Sequence, residues 1–217
     1  GAAFERAAET VEDGDVVGLG TGSTAAYAIR AIGEAVDAGL DVRGVPTSFD
    51  ARRLARDAGI PLRSLDEVDG IDLAVDGADR IDRDRTAIKG GGAAHAREKV
   101  VDAAADRFVV VADPSKVVDT LSHPVPVEVL PDAYAAVERE VAALGGEPTL
   151  RRAEAKDGPV VTDNGNLVLD CAFGRIDDPA GLAPRLSSVP GVVEHGLFVD
   201  LVDTVYVGTD DGVDRLG

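Results

Sequence analysis

The sequence has no tryptophan, a single cysteine, and aromatic residues at only 4% of its length. Each scarcity excludes something. One cysteine, Cys171, cannot make an intrachain disulfide. Its place in the apolar run Leu167-Val168-Leu169-Asp170-Cys171-Ala172-Phe173 reads as a small buried hydrophobe rather than a nucleophile. With so few rings the core must be aliphatic, made of Val, Ala, Leu and Ile, a composition that suits a parallel sheet covered by helices. No apolar run approaches the roughly 20 residues of a membrane span, and no signal peptide is recognisable, so a cytoplasmic protein is expected. The first residue is Gly1 rather than Met, and the N-terminus is expected to be trimmed or engineered. His95, His123 and His195 lie far apart and follow no metal-ligand spacing.

Positive charge is scarce too. Lys and Arg number 22 against 40 Asp and Glu, for a formal net charge of −18. Lys89, Lys99, Lys116 and Lys156 are the only lysines, which leaves 18 of the 22 basic residues as arginine. A nucleic-acid binder needs a basic face, so this balance argues against one, and equally against an anionic membrane surface. The acid is spread along the chain rather than gathered in a tail, as in a folded protein. Acid excess with little lysine resembles proteins of salt-loving organisms, where screening tolerates self-repulsion and charge maintains solubility. A GC-rich genome favouring Asp, Arg, Ala and Gly is the other explanation. What remains is ordinary for a globular chain: 217 residues, 45% of them hydrophobic, enough for a core domain with a smaller second one.

Along the chain, short apolar runs alternate with helical stretches. Strands are predicted at Val16–Gly20, Val42–Pro46, Leu73–Val75 and Phe108–Ala112, and helices at Ala2–Val11, Thr24–Val36, from Ser48 or Asp50 to Ala58, and at Ala93–Ala105. This is the βαβ pattern of a parallel sheet with helices on both faces. The pattern changes near Pro124. A strand at Val125–Leu130, a helix at Asp132–Leu144, strands around Thr149–Ala153 and Leu167–Ala172, a helix opened by Asp178-Pro179 and a strand at Val192–Val199 give the order βαββαβ, expected of a ferredoxin-like domain. Thr204–Val207 would then return to the first sheet. The predicted organisation is a Rossmann-like α/β domain over residues 1–124 and 201–217, with a smaller ferredoxin-like α+β domain over 125–200.

Four clusters carry chemistry. Gly18-Leu19-Gly20-Thr21-Gly22-Ser23-Thr24 lies between a strand and a helix. Glycines let the backbone approach a ligand, a helix N-terminus offers free N–H groups to an anion, and Thr21, Ser23 and Thr24 add hydroxyls. The loop suits a phosphate, and equally a plain capped turn; Ser23 stands where a dinucleotide fingerprint needs glycine, and no P-loop Gly-Lys-Ser/Thr follows. Asp76-Gly77-Ala78-Asp79 follows a buried strand, where open α/β sheets bind ligands; a turn with a helix cap explains it as well. Lys89-Gly90-Gly91-Gly92 leads directly into a helix, so its amides and the lysine can serve an oxyanion; a flexible loop is the other reading, less attractive because the helix begins immediately. Glu98, in Arg97-Glu98-Lys99 on that helix, is a candidate general base only jointly with the other clusters. Lys116, after the Phe108–Ala112 strand, is placed for a phosphate.

In this order and spacing the clusters resemble the ribose-5-phosphate isomerase type A family. The matching stretches are Gly18–Ala26, Val75–Asp79, Ile88–Lys99, Ala112–Lys116, Pro126–Pro131 and Val160–Asp170. Pro190-Gly191-Val192-Val193, Gly196-Leu197-Phe198, Gly208-Thr209 and Asp211-Gly212-Val213 also match, so the resemblance covers nearly the whole chain. It implies that Glu98 is the base moving a proton between C1 and C2 through an enediolate. It implies that Asp76 assists ring opening and proton transfer between oxygens, and that Asp79 joins it in the sugar-binding segment Asp76, Gly77, Ala78, Asp79. It implies that Lys89 faces the reacting oxygen, with Gly90, Gly91 and Gly92 as backbone donors. Thr21, Gly22, Ser23, Thr24 and Lys116 would bind the ligand. It further implies no metal or cofactor, a sugar phosphate as the small-molecule partner, and a homodimer or homotetramer. Two features depart from the pattern. A basic residue that family members often carry in the first helix would fall before Gly1, with Arg6 out of register, and Pro114 is a smaller change in a tolerant loop. The other reading is a non-catalytic sugar-phosphate-sensing domain, which would keep the phosphate loop without needing Glu98 or Lys89.

Overall fold

The structure, a computed structural model, describes residues 2–209 and 212–216. Asp211, in the matching stretch Asp211-Gly212-Val213, lies outside them. The chain opens with α1 (Ala2–Ala8), β1 (Val16–Leu19), α2 (Ser23–Asp37), β2 (Arg43–Pro46), α3 (Phe49–Asp57) and β3 (Leu73–Gly77). Two short strands follow, β4 (Arg80–Asp82) and β5 (Ala87–Ile88), then α4 (His95–Ala103), β6 (Phe108–Ala112) and the two-residue β7 (Val117–Val118). Next come β8 (Val125–Val129), α5 (Tyr134–Ala143), β9 (Glu147–Leu150), β10 (Leu167–Ala172), α6 (Pro179–Ser187), β11 (Val192–His195) and β12 (Leu197–Phe198). The chain closes with β13 (Thr204–Thr209) and β14 (Gly212–Leu216). It forms two compact units. The first comprises Gly1–Ala78, Arg97–Val117 and Asp200–Gly217; the second comprises Asp79–Ala96 and Val118–Val199.

The first unit is built on a six-stranded sheet in the order β14-β13-β6-β3-β1-β2. Its strands run parallel from β13 to β2, and β14 returns antiparallel to β13. The central strands β3 and β6 are buried at every residue; β6 is apolar throughout and β3 is apolar up to Asp76, as strands covered on both faces of a sheet require. Helix α2 buries Ala25, Ala28, Ile29, Ile32 and Gly33, a stripe at helical spacing, and Ala28, Ile29 and Ile32 share a core with Val17, Leu19, Leu73, Val75, Val109 and Val111. Ser48 starts α3 by accepting a hydrogen bond from the Ala51 amide at 3.0 Å. The chain leaves β1 toward β2 on one side and reaches β3 on the other, so the crevice beyond the carboxyl ends of β1 and β3 is the topological switch point.

The second unit has an antiparallel sheet in the order β11-β8-β10-β9, the ferredoxin-like arrangement of the βαββαβ run. Its core joins Val125, Val127 and Val129 of β8 to Val137 and Val141 of α5, Leu169 of β10 and Leu186 of α6. Asp178 caps α6 through the Gly181 amide, with Pro179 in the first turn.

Two features differ from the expectation. The strand expected over Val192–Val199 is divided: β11 pairs with β8, and β12 pairs with β5. The division falls at Gly196, whose N–H donates to Pro126 O at 2.7 Å while its carbonyl accepts from the Lys89 amide at 2.9 Å. A Cβ at Gly196 would overlap the Lys89 carbonyl oxygen. The second difference follows from the first. Because β12 recruits β5, and β5 pairs with β4, residues 79–96 group with the second unit rather than with the first, and so do residues 118–124.

Candidate active site

In the first unit, the loop after β1 and the end of β3 are fitted to each other. A Cβ at Gly20 would overlap the Asp76 carboxyl group, so only glycine lets this carboxylate pack beneath the loop. Asp76 Oδ1 accepts from the Thr21 amide at 3.1 Å and from the Gly77 amide at 2.7 Å. Asp76 is fully buried (0% exposed), at a position where a charge costs free energy unless it is hydrogen-bonded. Gly77 packs against Thr24 so closely that a Cβ added to it would lie 3.1 Å from Thr24 Cβ.

Gly22 occupies the N-cap of α2 with φ 100°, and no side chain caps the helix. The first-turn amides of this 15-residue helix, around Ser23 and Thr24, are therefore left to other partners, and its N-terminus carries the positive end of the helix dipole. Thr21 Oγ1 lies 2.8 Å from both Thr47 Oγ1 and Ser48 Oγ, and Thr47 Oγ1 donates to Leu19 O at 3.0 Å. The Thr21 hydroxyl thus braces the loop against the end of β2. From the sequence Ser48 is expected only as a helix cap, and Thr47 is not among the expected site residues. The available signal was two hydroxyl residues at the carboxyl end of the strand next to β1.

Glu98 stands in the first turn of α4 and is 4% exposed. The helix is held to the sheet where Val101 meets Gly18, a position at which a Cβ would come within 2.8 Å of Val101 Cγ1. Arg97, beside Glu98, lies with its guanidinium carbon 5.7 Å from the centre of the Phe49 ring. Lys116 is half-buried, at the end of the short turn after β6. In the same turn the Ser115 hydroxyl and amide hold the Asp113 carboxyl below its usual range, the hydroxyl bond being the stronger cause. Arg6 of α1 is engaged elsewhere, in an exposed ion pair with Glu9 at 2.8 Å.

In the second unit, Asp79, Lys89 and the three glycines form one group. Lys89 is 2% exposed, with Nζ 5.4 Å from the centre of the Phe198 ring. Gly90 has φ 108°, and a Cβ there would sit 2.7 Å from His95 Nδ1, so both the backbone angle and the buried imidazole demand glycine. The Gly91 N–H donates to Asp79 Oδ2 at 2.8 Å. The Asp79 amide donates to Ile88 O at 2.8 Å. Of the three glycine amides expected to serve a ligand, that of Gly91 is therefore bonded to Asp79. Arg151, which is not among the site residues expected from the sequence, joins this group: its Nη1 donates to Gly90 O at 2.8 Å and to Gly91 O at 3.2 Å. Nothing local in the sequence marks it, because the partners are some 60 positions apart.

The chain leaves the first unit between Ala78 and Asp79 and re-enters it between Ala96 and Arg97, so both crossings fall inside the motifs. Among the described residues, no group of three or more His, Cys, Asp or Glu side chains is arranged to hold a metal, and no helix is long and apolar enough to cross a membrane.

Known proteins share this architecture and sequence. Over residues 43–212 the chain matches the family described as ribose 5-phosphate isomerase A (phosphoriboisomerase A). It is 70% identical to the ribose-5-phosphate isomerase A of Haloarcula marismortui, over 98% of this chain and 92% of the relative. It is 67% identical to that of Natronomonas pharaonis, over 98% and 93%. It superposes on the structure of ribose 5-phosphate isomerase A from Methanocaldococcus jannaschii with a TM-score of 0.95 and 47% identity, covering 99% of this chain and 96% of that one. A D-ribose-5-phosphate isomerase in complex with phospho-erythronic acid gives a TM-score of 0.97 at the same 47% identity and the same coverage. Sequence and fold agree over almost the full length, and the chain belongs to the ribose 5-phosphate isomerase A family.

Proposed function

We propose that this enzyme interconverts D-ribose 5-phosphate and D-ribulose 5-phosphate by proton transfer through an enediolate, using no metal. Beside family membership, one observation carries the reading: Asp76, Lys89 and Glu98, the three candidate catalytic residues, are 0%, 2% and 4% exposed. Burying a charge is unfavourable, and folds keep such groups where chemistry uses them. In the proposed reaction Glu98 removes the proton from C2 of the open-chain aldose, and the electron pair moves through C1 onto O1. Lys89 balances the charge that develops on oxygen. The proton then returns from Glu98 to C1, while the O2 proton is transferred to O1, leaving the ketone at C2. Asp76 assists ring opening and the oxygen-to-oxygen transfer, and Asp79 holds the sugar. The uncapped α2 N-terminus, with Ser23, Thr24 and Lys116, takes the phosphate. Such remote binding holds the reacting carbons in register. Phospho-erythronic acid in the related structure is an anionic sugar-acid phosphate, which supports a sugar phosphate as the ligand here.

The test is ribulose 5-phosphate formation from ribose 5-phosphate, with EDTA present, at low and molar salt, for the native chain and Glu98→Gln. Activity that persists in EDTA and falls by roughly 100-fold or more in the variant is expected of a lost general base. A folded protein that binds the sugar phosphate yet turns nothing over at any salt would leave the non-catalytic sensing reading instead. We further expect a homodimer or homotetramer by light scattering, and a monomer at working concentration would overturn that part.

A further inference from the structure

We propose that Arg151, aligned by Asp170, is a positioning residue for the Lys89–Gly92 loop, acting by pinning the carbonyls of Gly90 and Gly91. Arg151 follows β9, and its amide donates to Val168 O at 2.9 Å. Its Nε and Nη2 meet the two oxygens of Asp170 on β10 at 2.8 and 2.5 Å, a two-point contact that fixes the plane of the guanidinium. The remaining nitrogen, Nη1, reaches Gly90 O at 2.8 Å and Gly91 O at 3.2 Å. The Arg151 side chain is only 16% exposed, so solvent ions screen this arrangement weakly.

The effect on the loop follows from peptide geometry. Among the described residues no peptide bond is cis, and in a planar trans peptide the N–H points opposite to the C=O. Drawing Gly90 O toward Arg151 turns the Gly91 N–H the other way, and there it meets Asp79 Oδ2 at 2.8 Å. Drawing Gly91 O toward Arg151 likewise turns the Gly92 N–H away from the guanidinium. The Gly90 carbonyl also accepts from the Ala93 amide at 3.0 Å, which closes the turn. Three glycines in a row have many conformations to lose; Arg151 holds the carbonyls of two of their peptides and Asp79 holds the amide on the opposite side of the first, and together they select one. The guanidinium also neutralises the negative ends of those peptide dipoles; Asp79 takes the positive end of the first, and the Gly92 N–H of the second is left to a developing oxyanion.

This inference rests on the proposed isomerase reading, and the test separates the two. kcat and KM for ribose 5-phosphate are measured for the native chain, Arg151→Ala, Arg151→Lys and Asp170→Asn, with the melting temperature of each. Loosening a preorganised oxyanion loop is expected to lower kcat roughly 10- to 100-fold in Arg151→Ala with KM changed by less than about threefold. Arg151→Lys keeps the charge without the fork and should recover only part of kcat. Asp170→Asn is the milder variant should Arg151→Ala fail to fold, and should lower kcat severalfold at an unchanged melting temperature. Variants that melt lower but retain native kcat would overturn the positioning role, as would a loss expressed wholly in KM. A native chain with no isomerase activity would instead overturn the parent reading.

Discussion

Cys171 lies among apolar side chains on β10, and burial chiefly, with Asp170 and Glu138 adding their negative charge, pushes its thiol up from 9.0 to about 12. Between those values the unfolded chain has released a proton that the native chain retains. Unfolding therefore becomes easier as pH rises from 9 toward 12, by up to about 1.4 kcal/mol per pH unit from this one group. The expected result is a steeper alkaline loss of stability in the native chain than in Cys171→Ala, read from denaturant titrations across that range. Parallel slopes would show that the thiol is more solvated than its surroundings indicate. The sequence made this residue legible as a buried hydrophobe from its apolar neighbours alone. Arg151 was not legible in the same way. It sits in an Arg-Arg pair of a very polar stretch, and only strand pairing brings it to Asp170 and the glycine carbonyls. Motifs that rely on backbone torsion, such as Gly20 beneath Asp76 or the Lys89 glycines, announce themselves in sequence because no other residue type fits. Side chains that brace such motifs from a distance do not.

At the scale of elements, long strands and helices were readable and short ones were not. β6 is a continuous apolar run, β3 and β8 are apolar but for Asp76 and Glu128, and Ser48, Asp178 and Pro179 mark helix starts. β4 and β5 have only three and two residues, too few to show any alternation, and they exist because β12 offers a partner. Asn164-Gly165-Asn166 has the composition of a turn, but what holds that turn in place is not legible in the sequence. Thr162 Oγ1, Asn164 Nδ2 and Asn166 Nδ2 all donate to Glu128 Oε1, at 3.0, 3.0 and 2.8 Å. Glu128 is fully buried on β8, and so fastens the turn preceding β10 to the middle of the sheet. Glu128→Ala would strand three donors together and is expected to cost about 2–4 kcal/mol in thermal or denaturant unfolding. Glu128→Gln keeps an acceptor at Oε1 and should cost clearly less. Equal losses for the two variants would mean that packing, not the shared acceptor, secures the turn.

For the molecule as a whole, charge is the dominant quantity. A net charge of −18 opposes compaction, and relatives of this chain at 70% and 67% identity come from the archaea Haloarcula marismortui and Natronomonas pharaonis. The ion pairs Arg53–Asp50, Arg83–Asp119 and Arg175–Asp177 are exposed and contribute little. The Debye length shrinks from about 10 Å at 0.1 M salt to about 3 Å at 1 M, which screens the repulsion between surface carboxylates. The melting temperature is therefore expected to rise between about 0.1 and 2 M KCl. A flat or falling dependence would assign the acid to solubility alone.

The interleaving of the two units also bears on the order in which the protein can be made. The second unit has its last residue at Val199, whereas the first must await β13, which lies between β6 and β14. On a ribosome the later-begun unit is thus the earlier one to be completed, and β6, buried at every residue in the finished fold, has an open edge until the final segment emerges. Chains arrested before Thr204 should show a protease-resistant second unit and a cleavable first one. The chain would then acquire the loop after β1 early in synthesis but the sheet that supports it last, so that an incomplete chain is exposed to degradation before it can act.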